Sequence, residues 1–382
     1  MKYQTLVLSG GGSKGAYGLG VLLALDKYHR FLDKGITKIY CGTSVGALNA
    51  TLAAQGDLDK LSTLYSNTRN INILGSDSSK VKRCKLFFAL KRRPFYYFDN
   101  SALRSTITKY VDYEKLKDSH LLICATNYET GVLETFYLST LIDGFVAHDQ
   151  TLFHDDQRFL NFHRINSQES LIQALLASTA IPFYLPPVEI NDTLYVDGGV
   201  GNNTPLRQAA YICRSLSKDI NNEIWPTCCV INDPQRFSIN PAEVSDIFGV
   251  VGRTMDIFHN QLIEDSHMTW DRINNELKNT KVGMNVLGSH IDGMQSLSNS
   301  EKDTLKEQVV QALGNTSLPL PRKELVLQII RPSTHLVNDI LHFDPREAEQ
   351  LKLRGIADYL TYLSHEKLIT TKQFAHWIEE IK

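Results

Sequence analysis

The first sixty residues constrain the fold most, because one short pattern occurs there twice. An apolar run at residues 3–9 ends in three glycines, and a periodic apolar stretch follows at 14–30. The pattern repeats with an apolar run at 36–42 and a periodic stretch at 44–55. Each copy predicts a strand, a tight turn and a helix. Two such units in succession favour an α/β fold in which helices cover a parallel sheet.

The rest of the chain continues with mixed strand and helix patterns. Further strands are predicted at residues 120–126, 132–138, 194–196, 227–232 and 324–330. Helices are predicted at 243–277, at 345–363 with Asp344 as the N-cap, and at 371–381. The polar, glycine-containing stretch 279–299 predicts a loop. We therefore expect the C-terminal third to be mainly helical.

Composition excludes several classes of protein. The formal net charge of −2 gives no general attraction to nucleic acid. The six cysteines are scattered without a CxxC pair, which fits neither a disulfide scaffold nor a zinc site, so we expect reduced thiols and no metal. The sequence has no signal-peptide core and no apolar stretch of membrane-spanning length. We expect a cytoplasmic protein with, at most, peripheral membrane contact.

A glycine-rich loop follows the first predicted strand. Its six residues, Gly10 to Gly15, satisfy G-x-G-x-x-G, the dinucleotide-binding pattern. That use requires an acidic residue at the end of the second strand, and the chain has none there, since Asp33 lies in the preceding turn. Backbone N–H groups at a helix N-terminus also bind an oxyanion. We predict this use for Gly10, Gly11 and Gly12, with a non-catalytic nucleotide-binding module as the alternative.

A second motif follows the second predicted strand. Residues 42–46 read Gly-Thr-Ser-Val-Gly and match G-x-S-x-G, the nucleophile elbow, in its required strand–turn–helix context. The sharp turn exposes the hydroxyl of Ser44, and Gly42 and Gly46 relieve crowding around it. The helix N-terminus stabilises negative charge on that oxygen or on its adduct. Ser44 is therefore the predicted nucleophile.

Asp197, Gly198 and Gly199 follow a third predicted strand. Asp-Gly alone indicates a β-turn. A serine nucleophile also needs a proton acceptor, and a carboxylate in a tight glycine-containing turn can approach the hydroxyl closely. Burial would raise the basicity of that carboxylate. Asp197 is the predicted general base.

These three motifs, together with Ala177-Ser178-Thr179-Ala180-Ile181-Pro182-Phe183, resemble the signatures of patatin-like phospholipases, in the same order. The resemblance covers roughly residues 1–275. It implies a three-layer α/β/α fold with a mainly parallel sheet, and hydrolysis of phospholipid or other acyl-lipid esters without metal or cofactor. It assigns Ser44 and Asp197 as a catalytic dyad and Gly10, Gly11 and Gly12 as the oxyanion loop. Lys14 stands where the family carries a basic residue.

The resemblance also implies a division of the chain. Residues 1–275 are expected to form the catalytic domain, and residues 276–382 a mainly helical region packed on it.

The alternative enzyme is an α/β-hydrolase with a Ser-Asp-His triad, using a later histidine such as His335. That fold normally builds several strands before its elbow, whereas a single βα unit precedes Ser44 here.

Residues 80–98 contain seven basic residues and no acidic residue, interleaved with aromatic and aliphatic ones. Basic groups beside apolar side chains suit the headgroup level of a bilayer. This predicts peripheral membrane contact through Lys82, Arg83, Arg92 and Arg93, where lipid substrate would be met. The alternative is a structural cap over the active site, with the aromatic side chains packed and the charges solvated.

Overall fold

The structure is a computed structural model that describes residues 1–28, 35–77, 96–143, 161–217, 219, 221–235, 247–314, 325–337 and 339–380. A ten-stranded sheet forms the centre of this part of the chain. Its strands are β1 (Lys2–Leu8), β2 (Ile36–Thr43), β3 (His120–Asn127), β4 (Leu133–Leu138), β5 (Phe162–Arg164), β6 (Val188–Ile190), β7 (Thr193–Asp197), β8 (Glu223–Ile224), β9 (Thr227–Val230) and β10 (Leu327–Ile330).

Helices lie between most of these strands, and a 3-10 turn at Gly12–Lys14 precedes the first of them. The helices are α1 (Gly15–Tyr28), α2 (Val45–Ala54), α3 (Leu58–Asn67), α4 (Asn70–Leu74), α5 (Ser101–Tyr110), α6 (Tyr113–Leu116), α7 (Gln168–Ser178), α8 (Gly199–Asn202), α9 (Leu206–Ser217), α10 (Ile247–Asp292), α11 (Asn299–Gly314), α12 (Pro345–His365) and α13 (Thr371–Glu379).

The sheet is mainly parallel. Its main path runs β10-β9-β1-β2-β3-β4-β5, and β6, β7 and β8 pair at its side. Parallel pairs join β1 to β2, β8 and β9, β2 to β3, β9 to β10, and β4 to β5. Antiparallel pairs join β3 to β4 and to β7, and β6 to β7. The predicted α/β fold with a mainly parallel sheet is confirmed.

Both faces of the sheet are covered. Successive side chains of a strand point to opposite faces, and β1 contributes to a separate buried cluster on each face. Leu6 and Leu8 pack with apolar residues of α1, α2 and α12. Tyr3 and Val7 pack on the other face with residues of α9 and α10. The fold is therefore the expected three-layer α/β/α arrangement.

The order of β1 and β2 positions the two N-terminal motifs. The strands are parallel, and Leu8 at the end of β1 pairs with Gly42 near the end of β2. The carboxyl ends of neighbouring parallel strands lie at one edge of the sheet, where ligands bind in α/β folds. The glycine loop after Leu8 and the turn at Ser44 are therefore side by side.

Helix α12 packs directly on α1. A side-chain carbon at Gly20 would collide with the carbonyl oxygen of Lys352, and one at Gly355 with that of Tyr17. The two glycines thus let the helix backbones approach each other closely. The helix begins as predicted, because the side chain of Asp344 accepts hydrogen bonds from two first-turn amides.

Helix α10 extends further than the sequence predicted. The loop predicted at 279–299 is wrong for residues 279–292, which continue the helix. This stretch contains no proline, and each helical glycine costs only about 1 kcal/mol relative to alanine, so Gly283 and Gly288 do not interrupt it. The helix ends immediately before Gly293, where a glycine commonly terminates a helix.

The cysteines in the described part are buried and form no disulfide there. They are Cys41, Cys124, Cys213, Cys228 and Cys229. Cys84 lies outside the described residues. Within the described ranges, none of the helices combines the length and the apolar character needed to cross a bilayer.

Candidate active site

Ser44 occupies the sharp turn between β2 and α2. Its φ is 54°, a left-handed conformation that is strained for a residue with a side chain. A side-chain carbon at Gly42 would collide with the carbonyl oxygen of Gly46, and one at Gly46 with that of Leu8. Only glycines at these two positions allow the turn to pack so closely. The turn places Ser44 at the N-terminus of α2.

Ser178, at the end of α7, connects this turn to the middle of the sheet. Its Oγ accepts a hydrogen bond from the N–H of Ser44 at 2.9 Å and donates to the carbonyl oxygen of Cys124 at 2.6 Å. Its own carbonyl oxygen accepts from the N–H of Gly198 at 3.3 Å. Ser178 therefore contacts the turns that carry Ser44 and Asp197. Its position in the Ala177–Phe183 motif was visible in the sequence, but this bridging role was not.

Asp197 ends β7 with its carboxylate directed at Ser44. Oδ2 accepts a hydrogen bond from Oγ of Ser44 at 2.7 Å, and Oδ1 accepts from the N–H of Gly199 at 2.7 Å. The exposed fractions of Ser44 and Asp197 are 5% and 6%. Burial raises the pKa of Asp197 to about 7, although the hydrogen bonds from Ser44 and Gly199 act to lower it. A carboxylate with this pKa can accept and return a proton near neutral pH.

The glycines after Asp197 allow its turn to lie against β3. A side-chain carbon at Gly198 would collide with the carbonyl oxygen of Cys124. The hydroxyl of Thr126 donates to the carbonyl oxygen of Asp197 at 3.0 Å and accepts from the N–H of Gly201 at 3.0 Å. The backbone that follows the carboxylate is therefore held from β3.

The glycine loop lies beside Ser44. A side-chain carbon at Gly10 would be 3.1 Å from Cβ of Ser44. The N–H of Gly10 donates to the carbonyl oxygen of Asn203 at 3.1 Å, so it is not available to a ligand. The N–H groups of Gly11 and Gly12 have no hydrogen-bond partner among the described residues. Both residues have positive φ, 146° and 57°, which glycine adopts without strain.

Lys14 does not point at the dyad but is buried behind the loop, with 1% of its side chain exposed. Its Nζ forms an ion pair with Asp233 and lies 3.8 Å from Asp256 on α10. Burial acts to lower the pKa of Lys14, but the two carboxylates outweigh it and the pKa is raised. Neither acid was predicted from the sequence. The signal for Asp233 was its position directly after the predicted strand 227–232.

A family model described as patatin-like phospholipase matches residues 6–210, a range that includes Ser44, Asp197 and the glycine loop. The chain belongs to the patatin-like phospholipase family. The family resemblance drawn from the motifs is thus confirmed, and the match covers the sheet edge at which they meet.

Individual relatives agree with this assignment. The cGAMP-activated phospholipase of Pseudomonas aeruginosa (strain BWHPSA011 / Pa011) is 27% identical over 209 residues, which are 53% of this chain and 54% of that protein. Patatin-like phospholipase domain-containing protein 2 of Bos taurus is 28% identical over 200 residues, 52% of this chain and 34% of that protein. The chain thus spans about half or less of the length of these two relatives. A solved structure, VipD from Legionella pneumophila, is 14% identical with a TM-score of 0.38, covering 95% of this chain and 67% of that one.

Two of the described histidines, His259 and His335, lie near this patatin-like site, and neither forms a hydrogen bond with the carboxylate of Asp197. In the described part of the chain, the carboxylate of Asp197 has Ser44 and Gly199 as its hydrogen-bond partners. His259 on α10 packs against Gly199, and burial lowers its pKa to about 4. His335 lies near the Lys14 ion pair, where burial and the charge of Lys14 lower its pKa. The described residues contain no group of three or more His, Cys, Asp or Glu side chains able to hold a metal.

The basic residues Lys82, Arg83, Arg92 and Arg93 lie outside the described residues. Tyr97 and Phe98, at the end of their segment, are described and are buried. Backbone N–H groups of Tyr97 and Phe98 donate to carbonyl oxygens of residues 183 and 184, at 3.0 and 2.8 Å. These two aromatic residues therefore pack beside the segment that follows α7.

Proposed function

We propose that this chain hydrolyses acyl ester bonds of phospholipids or related lipids, with Ser44 as nucleophile and Asp197 as general base. The observation that carries the proposal is the 2.7 Å hydrogen bond from Oγ of Ser44 to Oδ2 of Asp197 in a buried setting. The family assignment supports lipid as the substrate class, because the family model and two of the curated relatives are named as phospholipases.

In the first half of the proposed reaction, Oγ of Ser44 attacks the carbonyl carbon of the ester. Oδ2 of Asp197 accepts the hydroxyl proton as the new C–O bond forms. The tetrahedral intermediate then collapses, the bond to the leaving alcohol breaks, and Asp197 returns the proton to that alcohol. The product is an ester of the fatty acid with Ser44.

In the second half, water replaces the alcohol. Asp197 accepts a proton from the water as its oxygen attacks the acyl carbon. Collapse of the second intermediate breaks the bond to Ser44, and the proton returns to Oγ of Ser44. The fatty acid leaves and the starting state is restored. One carboxylate thus serves as base and acid in turn, for which its pKa near 7 is suited.

Negative charge on the acyl oxygen requires donors, and the glycine loop supplies them in our proposal. The N–H groups of Gly11 and Gly12 are the candidates, since that of Gly10 already donates to Asn203. Preorganised donors of this type are commonly the largest contribution to acyl transfer. In the proposed role, Lys14 supports the loop from behind and does not touch the substrate.

The deciding experiment combines product identification with covalent labelling. Purified protein is incubated with phospholipids, lysophospholipids and neutral glycerides, and the products are identified by mass. Ser44→Ala should abolish release of fatty acid, because loss of such a nucleophile typically costs about five to six decades in rate. A fluorophosphonate should label the wild type and not this variant.

The matched control is Ser289→Ala, which removes an exposed serine of α10. It should keep both activity and labelling. Retention of more than a few per cent of wild-type activity in a contaminant-free Ser44→Ala preparation would contradict the assignment of Ser44 as the nucleophile.

We further propose that residues 1–275 form the catalytic part of the chain and that residues 276–382 form a helical region joined to it. Within the catalytic part, we propose peripheral membrane contact through Lys82, Arg83, Arg92 and Arg93. Each basic residue near an anionic surface contributes about 1 kcal/mol. Changing all four to Gln should weaken sedimentation with anionic vesicles and leave hydrolysis of a soluble short-chain ester unchanged. Equal loss of hydrolytic activity on the anionic vesicles and on the soluble ester would instead indicate a structural cap.

A further inference from the structure

Asn232 lies directly behind the glycine loop, two residues after β9. It is 2% exposed and holds the loop through three hydrogen bonds. Its Nδ2 donates to the carbonyl oxygens of Ser9 and Gly10, at 2.9 and 3.1 Å. Its backbone N–H donates to Oγ of Ser9 at 2.9 Å. The side chain thus contacts Ser9 and Gly10, at the start of the predicted oxyanion loop.

The orientation of this amide follows from its partners. Carbonyl oxygens only accept hydrogen bonds, so the NH₂ group of Asn232 must face the two carbonyls. A flipped amide would place its oxygen against both of them. Ser9 reinforces the arrangement, because its hydroxyl also donates to the carbonyl oxygen of Gly10, at 3.2 Å.

Holding the carbonyl of Gly10 also sets the direction of the N–H of Gly11. These two groups belong to one planar trans peptide unit and point in opposite directions. Because the oxygen is bound to Asn232, the N–H of Gly11 is directed away from Asn232. That N–H has no partner among the described residues. Gly11 has no side chain and φ of 146°, so without a bound carbonyl its peptide unit would rotate easily.

The preceding peptide unit is held at both ends. Its carbonyl oxygen, on Ser9, accepts from Asn232, and its N–H, on Gly10, donates to the carbonyl oxygen of Asn203. The next unit is held at its oxygen end alone. The loop therefore presents one peptide unit held at both ends, followed by one whose N–H has no partner among the described residues.

We propose that Asn232 is a positioning residue of the oxyanion hole, which directs the N–H of Gly11 toward the acyl oxygen. The proposal rests on the function proposed above. It assigns a catalytic consequence to a residue that lies beyond residues 6–210, the range of the family match.

The test uses Asn232→Leu, which approximates the shape of asparagine but cannot donate. Hydrolysis of a soluble short-chain ester should lose about 10²-fold in kcat, the loss typical when one oxyanion donor is removed. KM should stay within about threefold, since the interaction forms in the transition state. Affinity for a fatty-alkyl trifluoromethyl ketone, whose serine adduct carries the oxyanion, should fall by the same factor as kcat. Binding of an ether analogue without a carbonyl should not change.

The matched control is Asn127→Leu. Asn127 is also buried and accepts two backbone hydrogen bonds, from Glu129 and Thr130, in the turn after β3. This variant should lose stability while keeping kcat and ketone affinity. Asn232→Ser, too short to reach both carbonyls, is measured in parallel and carries the same expectations if the leucine variant does not fold.

Unchanged kcat and ketone affinity in a folded Asn232 variant would overturn the positioning role. So would equal losses for the ketone and the ether analogue, which would indicate general damage to the binding site. A wild-type protein whose hydrolysis does not depend on Ser44 would overturn the proposed function itself, and the role of Asn232 with it.

Discussion

Ser44 and Asp197 meet because β2 and β7 lie end to end along the same side of β3. Thr43, the last residue of β2, pairs with Cys124, and Asp197, the last residue of β7, pairs with the next residue, Ala125. The two strands run in opposite directions, so their C-terminal ends meet. Their final residues therefore bring the hydroxyl and the carboxylate together across 153 positions of sequence.

The Asp197→Asn substitution tests whether the two residues act as a catalytic dyad. Asparagine can accept from Gly199 and donate to Ser44, so the fold should survive while the base is lost. We expect hydrolysis of a soluble ester to fall nearly as far as in Ser44→Ala. Single alanine substitutions of His259 and His335 serve as controls and should retain activity. Loss of activity in a folded histidine variant would replace the dyad with a triad.

The Asp197→Asn variant should also be more stable than the wild type above pH 7. The pKa of Asp197 is raised to about 7 in the folded protein, against about 3.9 for an unperturbed aspartate. Between these values the folded state binds more protons than the unfolded state, so its stability falls as pH rises. At pH 8, denaturant titration should show Asp197→Asn more stable by roughly 1–4 kcal/mol, at about 1.4 kcal/mol per pKa unit. Near pH 4 the two proteins should be similar.

The activity of the wild type should respond to pH in the opposite sense. Asp197 accepts a proton only when it is ionised, so kcat/KM should rise with pH and level off above about 7. A pH profile on a soluble ester measures this directly. An acidic limb centred near pH 4 would mean that the burial of Asp197 does not raise its pKa.

Glu134 on β4 should stabilise the fold without affecting catalysis. Its carboxylate accepts hydrogen bonds from His163, Tyr195, Asn127 and Asn161, at 2.6 to 3.1 Å. Burial acts to raise its pKa, but these bonds lower it to about 2. The stabilisation is therefore complete above the unfolded pKa of about 4.3 and is lost as pH falls toward 2. Glu134→Gln should cost about 1–3 kcal/mol at pH 7.

The control for this change is Glu129→Gln, because Glu129 is exposed in the turn after β3. Thermal unfolding at pH 7 should show a loss for the Glu134 variant and almost none for the control. Equal midpoints for both variants would mean that the buried hydrogen bonds contribute no net stability.

Gly355→Ala should separate helices α1 and α12. A side-chain carbon there would collide with the carbonyl oxygen of Tyr17, so the backbones must move apart. Overpacking of this kind typically costs about 1–3 kcal/mol. Gly283→Ala is the matched control, since Gly283 lies in helix α10 with open space around it and should gain up to about 1 kcal/mol. If both substitutions stabilise, the close helix contact is not part of the folded state.

Most local structure was predictable because strand, turn and helix preferences depend on neighbouring residues. The elements around Gly10 to Gly12, Ser44 and Asp197 lie where the patterns predicted them. The predicted loop at 279–299 was partly wrong, because exposed polar residues are compatible with a helix as well as with a loop. Nothing in the sequence pattern of Lys14 indicated that its charge is buried.

The sequence by itself determined that Ser44 sits in a strained turn before a helix, that glycines precede α1, and that Asp197 ends a strand. Only the tertiary structure decided which distant groups meet these residues. Lys14 forms an ion pair with Asp233, 219 positions away in the sequence, and Ser9 accepts a hydrogen bond from Asn232, 223 positions away. Both contacts exist because β9 lies beside β1 in the sheet. Strand order is set by how helices and strands bury their apolar faces together, which short-range patterns do not record.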